Sequence, residues 1–132
     1  MNRLNSEDYI RAAYYLENEE GEAKPGRIAQ RLGVSKNTVS AMVGKLARKK
    51  LLVHESYGRV RLGKAGMELG RKLTYRHRLI ESFLYEILKV PKGKIHGEAC
   101  RLEHDFGEES IIGIRKILKN PKMCPHGKDI NA

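Results

Sequence analysis

Between Pro25 and Lys49 the chain carries two short apolar helical patterns joined through Gly33-Val34-Ser35, and this pairing constrains the fold more than any other feature. Pro25 suits the first turn of a helix, where its missing N–H would have had no partner anyway. Ile28, Ala29 and Leu32 then supply an apolar stripe. Gly33 permits a tight turn, Val34 points inward, and Ser35 can cap a further helix from Lys36 to Lys49. In that helix Val39, Met42, Val43 and Leu46 recur on one face. A short helix, a glycine turn and a helix opening on small polar residues make a helix-turn-helix. Ser35, Lys36, Asn37, Thr38 and Ser40 lie at the end of the second helix that reaches base edges when such a motif docks in a major groove. Asn can pair with adenine, Ser and Thr with several base edges, and Lys with guanine or phosphate. A plain helical hairpin with an ordinary cap is the competing reading.

The flanks extend the motif. Asn5 or Ser6 can cap a helix from about Glu7 to Glu19, with Tyr9, Ala12, Ala13 and Leu16 at helical spacing. After Lys49, the runs Leu51–Glu55 and Arg59–Leu62 flank Tyr57-Gly58 and read as a β-hairpin. A hairpin directly after a recognition helix is a wing, whose Arg59 and Arg61 would meet phosphate or the minor groove. Charge supports a polyanionic partner. Residues 24–64 hold eleven Lys or Arg against one acid, Glu55, and this segment matches the whole net charge of +10. Concentrated basicity favours nucleic acid because each neutralised phosphate releases counterions. A merely solvated basic surface would carry the same composition.

Residues from Lys64 to about Leu88 form a long helical pattern with Leu69, Leu73, Ile80, Phe83, Leu84 and Ile87 apolar. Pro91 and Gly93 interrupt it, and helices over 93–105 and 108–119 follow, the last stopped at Asn120-Pro121. The architecture expected is mainly α: a winged helix-turn-helix DNA-binding domain over 1–64 and a helical domain over 65–132 whose apolar excess suits a dimer interface. No apolar run approaches the roughly 18–20 residues of a membrane span. Two cysteines, Cys100 and Cys124, are too few for a disulfide framework, so a reducing cytoplasm is the expected compartment and no membrane partner is expected.

His96, Cys100, Glu103 and His104 fall within a sector of roughly 100° on one helical face. Four such side chains are costly to bury unpaired, and imidazole, thiolate and carboxylate together suit a divalent transition metal better than calcium or magnesium. His77 and Glu81 make a second pair at i, i+4 on the preceding helix. Singly, each has a plainer role, as core residue, small buried thiol or ion-pair partner. Cys124-Pro125-His126-Gly127 offers a third metal site, but Pro125 and Gly127 suit a plain turn, which is the favoured reading.

These residues carry a resemblance to the diphtheria-toxin-repressor family of metal-dependent transcriptional regulators, which includes iron-dependent repressors and manganese transport regulators. It spans nearly the whole chain, through Ser6-Glu7-Asp8-Tyr9-Ile10, Val34-Ser35 with Thr38-Val39-Ser40, Tyr75-Arg76-His77-Arg78-Leu79, and the run from His96 to His104. The resemblance implies a primary, activating metal site of Asp8, Cys100, Glu103 and His104, and an ancillary site of His77, Glu81 and His96. It places Ser35, Asn37, Thr38 and Ser40 on the DNA-facing edge and makes the helices after residue 64 dimerise; Lys36, Arg27, Arg59 and Arg61 are expected as further DNA contacts. Iron-type relatives carry Met where this chain has Asp8. Manganese-type relatives carry Asp there, and Glu at the places of Cys100 and Arg11. The ligand set is thus a hybrid for Fe(II) or Mn(II), and the sulfur tilts it slightly to Fe(II). The sequence stops before the SH3-like third domain that completes the ancillary site in iron-type relatives, so His77, Glu81 and His96 are expected to bind weakly or to hold one another. The function implied is a repressor of metal homeostasis that binds operator DNA as a homodimer and is not an enzyme. The alternative is a metal-independent winged-helix regulator sensing an organic effector or thiol oxidation. A metalloenzyme or a nonspecific architectural DNA protein would each use part of the same residues.

Overall fold

Asn5 starts the first helix by a reciprocal exchange. Its side-chain oxygen accepts from the N–H groups of Glu7 (2.8 Å) and Asp8 (3.3 Å), while the Asp8 carboxylate accepts the Asn5 N–H at 2.7 Å. This capping box satisfies donors that a helix end otherwise leaves open. In the computed structural model, which describes residues 4–55 and 58–130, helix α1 runs Ser6–Glu20. Helix α2 (Pro25–Leu32) begins on its proline and ends at Gly33, whose φ of +70° a side chain would make costly. Helix α3 (Lys36–Arg48) is capped by Ser35, which accepts the Thr38 N–H at 3.1 Å. Strands β1 (Leu52–His54) and β2 (Val60–Leu62) pair antiparallel, Leu52 opposite Leu62, and follow α3 directly as a wing. Of the expected turn pair Tyr57-Gly58, Tyr57 lies outside the described residues; Gly58 has φ +73°.

Two further contacts tie the hairpin to the helices before it. The Val60 N–H donates to the Ala23 carbonyl at 3.2 Å, and the Leu62 N–H donates to the Glu17 carboxylate at 3.1 Å. Between them Ile10, Leu16, Ile28, Val39, Leu46 and Leu52 are each 2% exposed or less. Each such side chain contributes about 1.5–3 kcal/mol on burial. Met42, expected on the buried face of α3, is only half-buried and packs against the edge of this cluster.

The chain divides into two compact units, Met1–Arg71 and Lys72–Ala132, with the boundary inside helix α4 (Lys64–Glu86). In the second unit, α4 is followed by α5 (Lys92–Asp105) and α6 (Glu108–Ile117). Leu79, Ile80, Leu84, Ile95, Ala99, Ile111, Ile114 and Ile130 form its core. Ile87 departs from the expected apolar stripe and is 45% exposed. Helix α4 ends one residue earlier, since Lys89 takes φ +59° and Pro91 disfavours helical backbone in the residue before it. The fold is therefore mainly α with one small hairpin. Among the described residues no helix is long and apolar enough to cross a membrane.

Two glycines separate packing from propensity. A Cβ at Gly66 would sit 2.0 Å from the Leu51 carbonyl oxygen, whereas one at Gly97 in α5 meets nothing within 4 Å. Gly66→Ala should lower unfolding free energy by about 3 kcal/mol. Gly97→Ala should raise it by about 0.5–1 kcal/mol. Denaturant midpoints at constant slope check both, and equal midpoints would refute the close approach at Gly66.

Candidate metal centre and nucleic-acid face

The opening turn of α3 is fully displayed, with Ser35, Lys36, Asn37, Thr38 and Ser40 all exposed. The hydroxyls of Ser35 and Thr38 lie 2.8 Å apart and bond each other while capping the helix. The three expected arginines are held by acids. Arg27 makes a two-pronged contact with Glu20 (3.1 and 2.6 Å) and also reaches Gln30. Arg59 pairs with Glu22 at 3.4 Å and Arg61 with Glu55 at 3.5 Å. These exposed pairs are weak, screened by solvent and salt, and a phosphate can displace the carboxylate at small cost.

Asp8 belongs to the first unit, where its carboxylate completes the α1 capping box. The other metal candidates belong to the second unit, and there α5 turns His96, Cys100 and Glu103 toward α4. Glu103 is fully buried, and one of its oxygens lies 2.7 Å from His77 Nδ1. A carboxylate there fixes the ring's orientation and makes the opposite nitrogen a better donor. That opposite nitrogen, Nε2, lies 3.2 Å from His96 Nδ1, and the other nitrogen of His96 lies 3.5 Å from Cys100 Sγ. Donor atoms of His77, His96 and Cys100 all fall within 4.8 Å of one another. The helical face read from the sequence is thus one face, but its residues group differently from the resemblance. Cys100 meets the two histidines of the ancillary set, and Glu103 backs His77. His104 lies half-buried on the last turn of α5.

Glu81 sits beside this group. It is 2% exposed, and its Oε2 lies 3.3 Å from His77, 3.5 Å from His96 and 3.1 Å from His126. None of these contacts is aligned as a hydrogen bond, so a buried anionic oxygen faces three imidazoles without a proper donor. Burial opposes ionisation of this carboxyl, but the histidines outweigh it and hold the group well below the usual carboxylate range. The segment at Cys124 is the expected turn, with the Gly127 N–H donating to the Cys124 carbonyl at 2.9 Å. It also brings Cys124 and His126 to Glu81, with donor atoms again within 4.8 Å. A Cys-x-His pair was visible in the sequence; that it folds back onto α4 was not. Sulfur, imidazole and carboxylate donors around an orphaned buried oxygen fit a divalent transition metal.

Contact with Cys100, and then with Glu81, raises the His96 pKa from 6.5 to about 9, against burial and the nearby His77. In metal-free protein the His96 ring should therefore titrate near 9 by NMR. Cys100→Ser should bring that midpoint down toward 6.5, and an unchanged midpoint would contradict the thiolate–imidazolium contact.

Comparison with known proteins agrees with both units. Residues 4–60 match the N-terminal DNA-binding domain of iron-dependent repressors, and residues 64–132 match their metal-binding and dimerisation domain. The chain is 36% identical over 125 residues to the diphtheria toxin repressor of Corynebacterium jeikeium, covering 95% of this chain and 52% of that protein. It is 37% identical over 119 residues to the transcriptional regulator MntR of Bacillus subtilis, covering 90% and 83%. The structure of the manganese regulator SloR superposes with a TM-score of 0.89 at 36% identity, covering 98% of this chain and 60% of that one. The chain thus spans about half the length of the diphtheria toxin repressor it matches. With both domains matched in order, this chain belongs to the iron-dependent (diphtheria-toxin) repressor family.

Proposed function

We propose that the protein is a metal-dependent transcriptional regulator, a repressor of metal-homeostasis genes in the cytoplasm, which binds operator DNA as a homodimer when Fe(II) or Mn(II) is bound. It acts by binding and carries out no turnover. The observation that supports this most is the buried His77–Glu103 pair facing His96 and Cys100, a donor set with no other evident use in a winged-helix protein. A relative named for iron and a structural neighbour named for manganese put those two metals first. The thiolate of Cys100 favours Fe(II), whereas Asp8 favours Mn(II), and we place Fe(II) slightly ahead.

Following the resemblance, Asp8, Cys100, Glu103 and His104 are the primary ligands, and His77, Glu81 and His96 the ancillary ones. Cys100 stands in the first set and touches the second, so loading of the two sets is linked through one sulfur. Residues 1–64 read DNA through Ser35, Lys36, Asn37, Thr38 and Ser40, with Arg27, Arg59 and Arg61 on phosphate. Residues 65–132 dimerise, and the exposed Leu88, Ile112 and Ile117 supply apolar surface for it. A ligand set drawn from α1 and α5 makes metal occupancy favour one subset of conformations. The favoured subset is the one whose two recognition helices are about 34–36 Å apart, one turn of duplex.

The test is selection of duplexes from a random pool, under anaerobic conditions, with Fe(II), Mn(II) or a chelator. A palindrome recovered only with metal is the expected outcome. Equal recovery in chelator would support metal-independent regulation, with the Cys100–His96 pair as a thiol sensor. Asp8→Asn separates capping from ligation, because its amide oxygen can still accept the Asn5 N–H. This variant should keep the wild-type melting temperature and lose metal stimulation of DNA binding. Full stimulation in Asp8→Asn would remove Asp8 from the ligand set.

A further inference from the structure

Arg76 lies on α4 with its side chain buried, 7% exposed as a residue, and two of its three guanidinium nitrogens lack a partner. Nη1 donates to Glu108 Oε1 at 3.2 Å, whereas Nε and Nη2 are buried without a hydrogen bond. We propose that Arg76, with Lys72 and the first turn of α6, forms a binding site for a small oxyanion, a phosphate or a carboxylate, and that Glu108 stands in for this ligand in the free protein. The site shares no residue with the metal donors. Arg78 takes no part in it: it falls about 200° round α4 from Arg76, and its Nη1 donates to the Asp129 carbonyl at 2.6 Å.

Three observations carry this. The first is which edge is empty. Nε and Nη2 form the fork of a guanidinium that matches two oxygens of a carboxylate or phosphate. Arg27 shows that use in the same chain, where its Nε and Nη2 take the two oxygens of Glu20 at 3.1 and 2.6 Å. In Arg76 the same edge lies in the interior with nothing on it, and unmet donors of a charged group are costly to bury. The second is Glu108. Its Oε1 accepts from Arg76 and also lies 3.2 Å from Lys72 Nζ, so a carboxylate already stands between the two cations. Its side chain is 67% exposed, so it can swing out and let another oxyanion in. Lys72 and Arg76 then offer two positive charges against the one on exposed Glu109. The third is the start of α6. Gly107 heads this ten-residue helix and brings no side chain to cap it. Open N–H groups and the positive end of the helix dipole therefore lie at the residue that meets Lys72 and Arg76.

Calorimetric titration of the metal-free chain with inorganic phosphate, and separately with acetate, at fixed ionic strength in chloride, tests the site. Saturable binding of one anion per chain is expected, and the tighter of the two arms identifies the ligand class. Arg76→Lys keeps the charge but loses the fork, so it should weaken that binding about tenfold or more. Glu108→Gln, at an exposed position and checked for folding by circular dichroism, should tighten it about tenfold, because the resident carboxylate no longer competes. A residue that only braced α6 against α4 would give no such gain. Equal affinity in wild type and both variants would mean an adventitious ion only and would overturn the site. Weaker binding in Glu108→Gln, or no saturable binding in either wild type or Glu108→Gln, would overturn it as well.

Discussion

The contact between Glu103 and His77 organises everything that the second unit presents. A carboxylate with no solvent exposure is stable only where a donor meets it, and at 2.7 Å His77 Nδ1 is that donor. Losing one partner of such a buried pair costs about 3–5 kcal/mol, so α4 and α5 are held in register by chemistry as well as by packing. With Nδ1 committed, His77 has only Nε2 to offer, and that nitrogen faces His96 and Glu81. The whole donor arrangement follows from which side of one imidazole ring is occupied. The apolar core around it, from Leu79, Ile95 and Ile111, supplies the surrounding low dielectric that makes the pair strong.

The first unit solves a different problem with cheaper parts. Caps at Asn5 and Ser35, the left-handed turn at Gly33 and two backbone contacts from the hairpin hold α3 so that its opening turn faces solvent. Arg27 and Arg59 rest on acids from the end of α1 and the loop after it, and Arg61 rests on Glu55 in the hairpin. These weak pairs keep the basic surface compensated until a phosphate replaces them. Asp8 joins structure to function most closely, since one carboxylate both closes the α1 capping box and stands first in the proposed ligand set.

What could be read from the sequence was what neighbours along the chain decide. Pro25, Gly33 and Ser35 placed α2 and α3 almost to the residue, and alternation in Arg59–Leu62 marked the second strand. The 100° step of a helix put His96, Cys100 and Glu103 on one side. It did not say what that side would meet. The pairing of Glu103 with His77 spans 26 residues, and the contact of His126 with Glu81 spans more, so both depend on tertiary packing that no local pattern encodes. Ile87 shows the converse limit: its spacing fits the apolar stripe, but the backbone before Pro91 leaves the helix first.

If metal and DNA act on one conformational equilibrium, each must tighten the other by the same factor. The most direct measurement is the affinity of the protein for Fe(II) with and without the duplex enriched by selection, beside its affinity for that duplex with and without Fe(II). The account predicts equal factors in the two directions, with metal bound more tightly on DNA. An Fe(II) affinity that does not change when the duplex is added would contradict it.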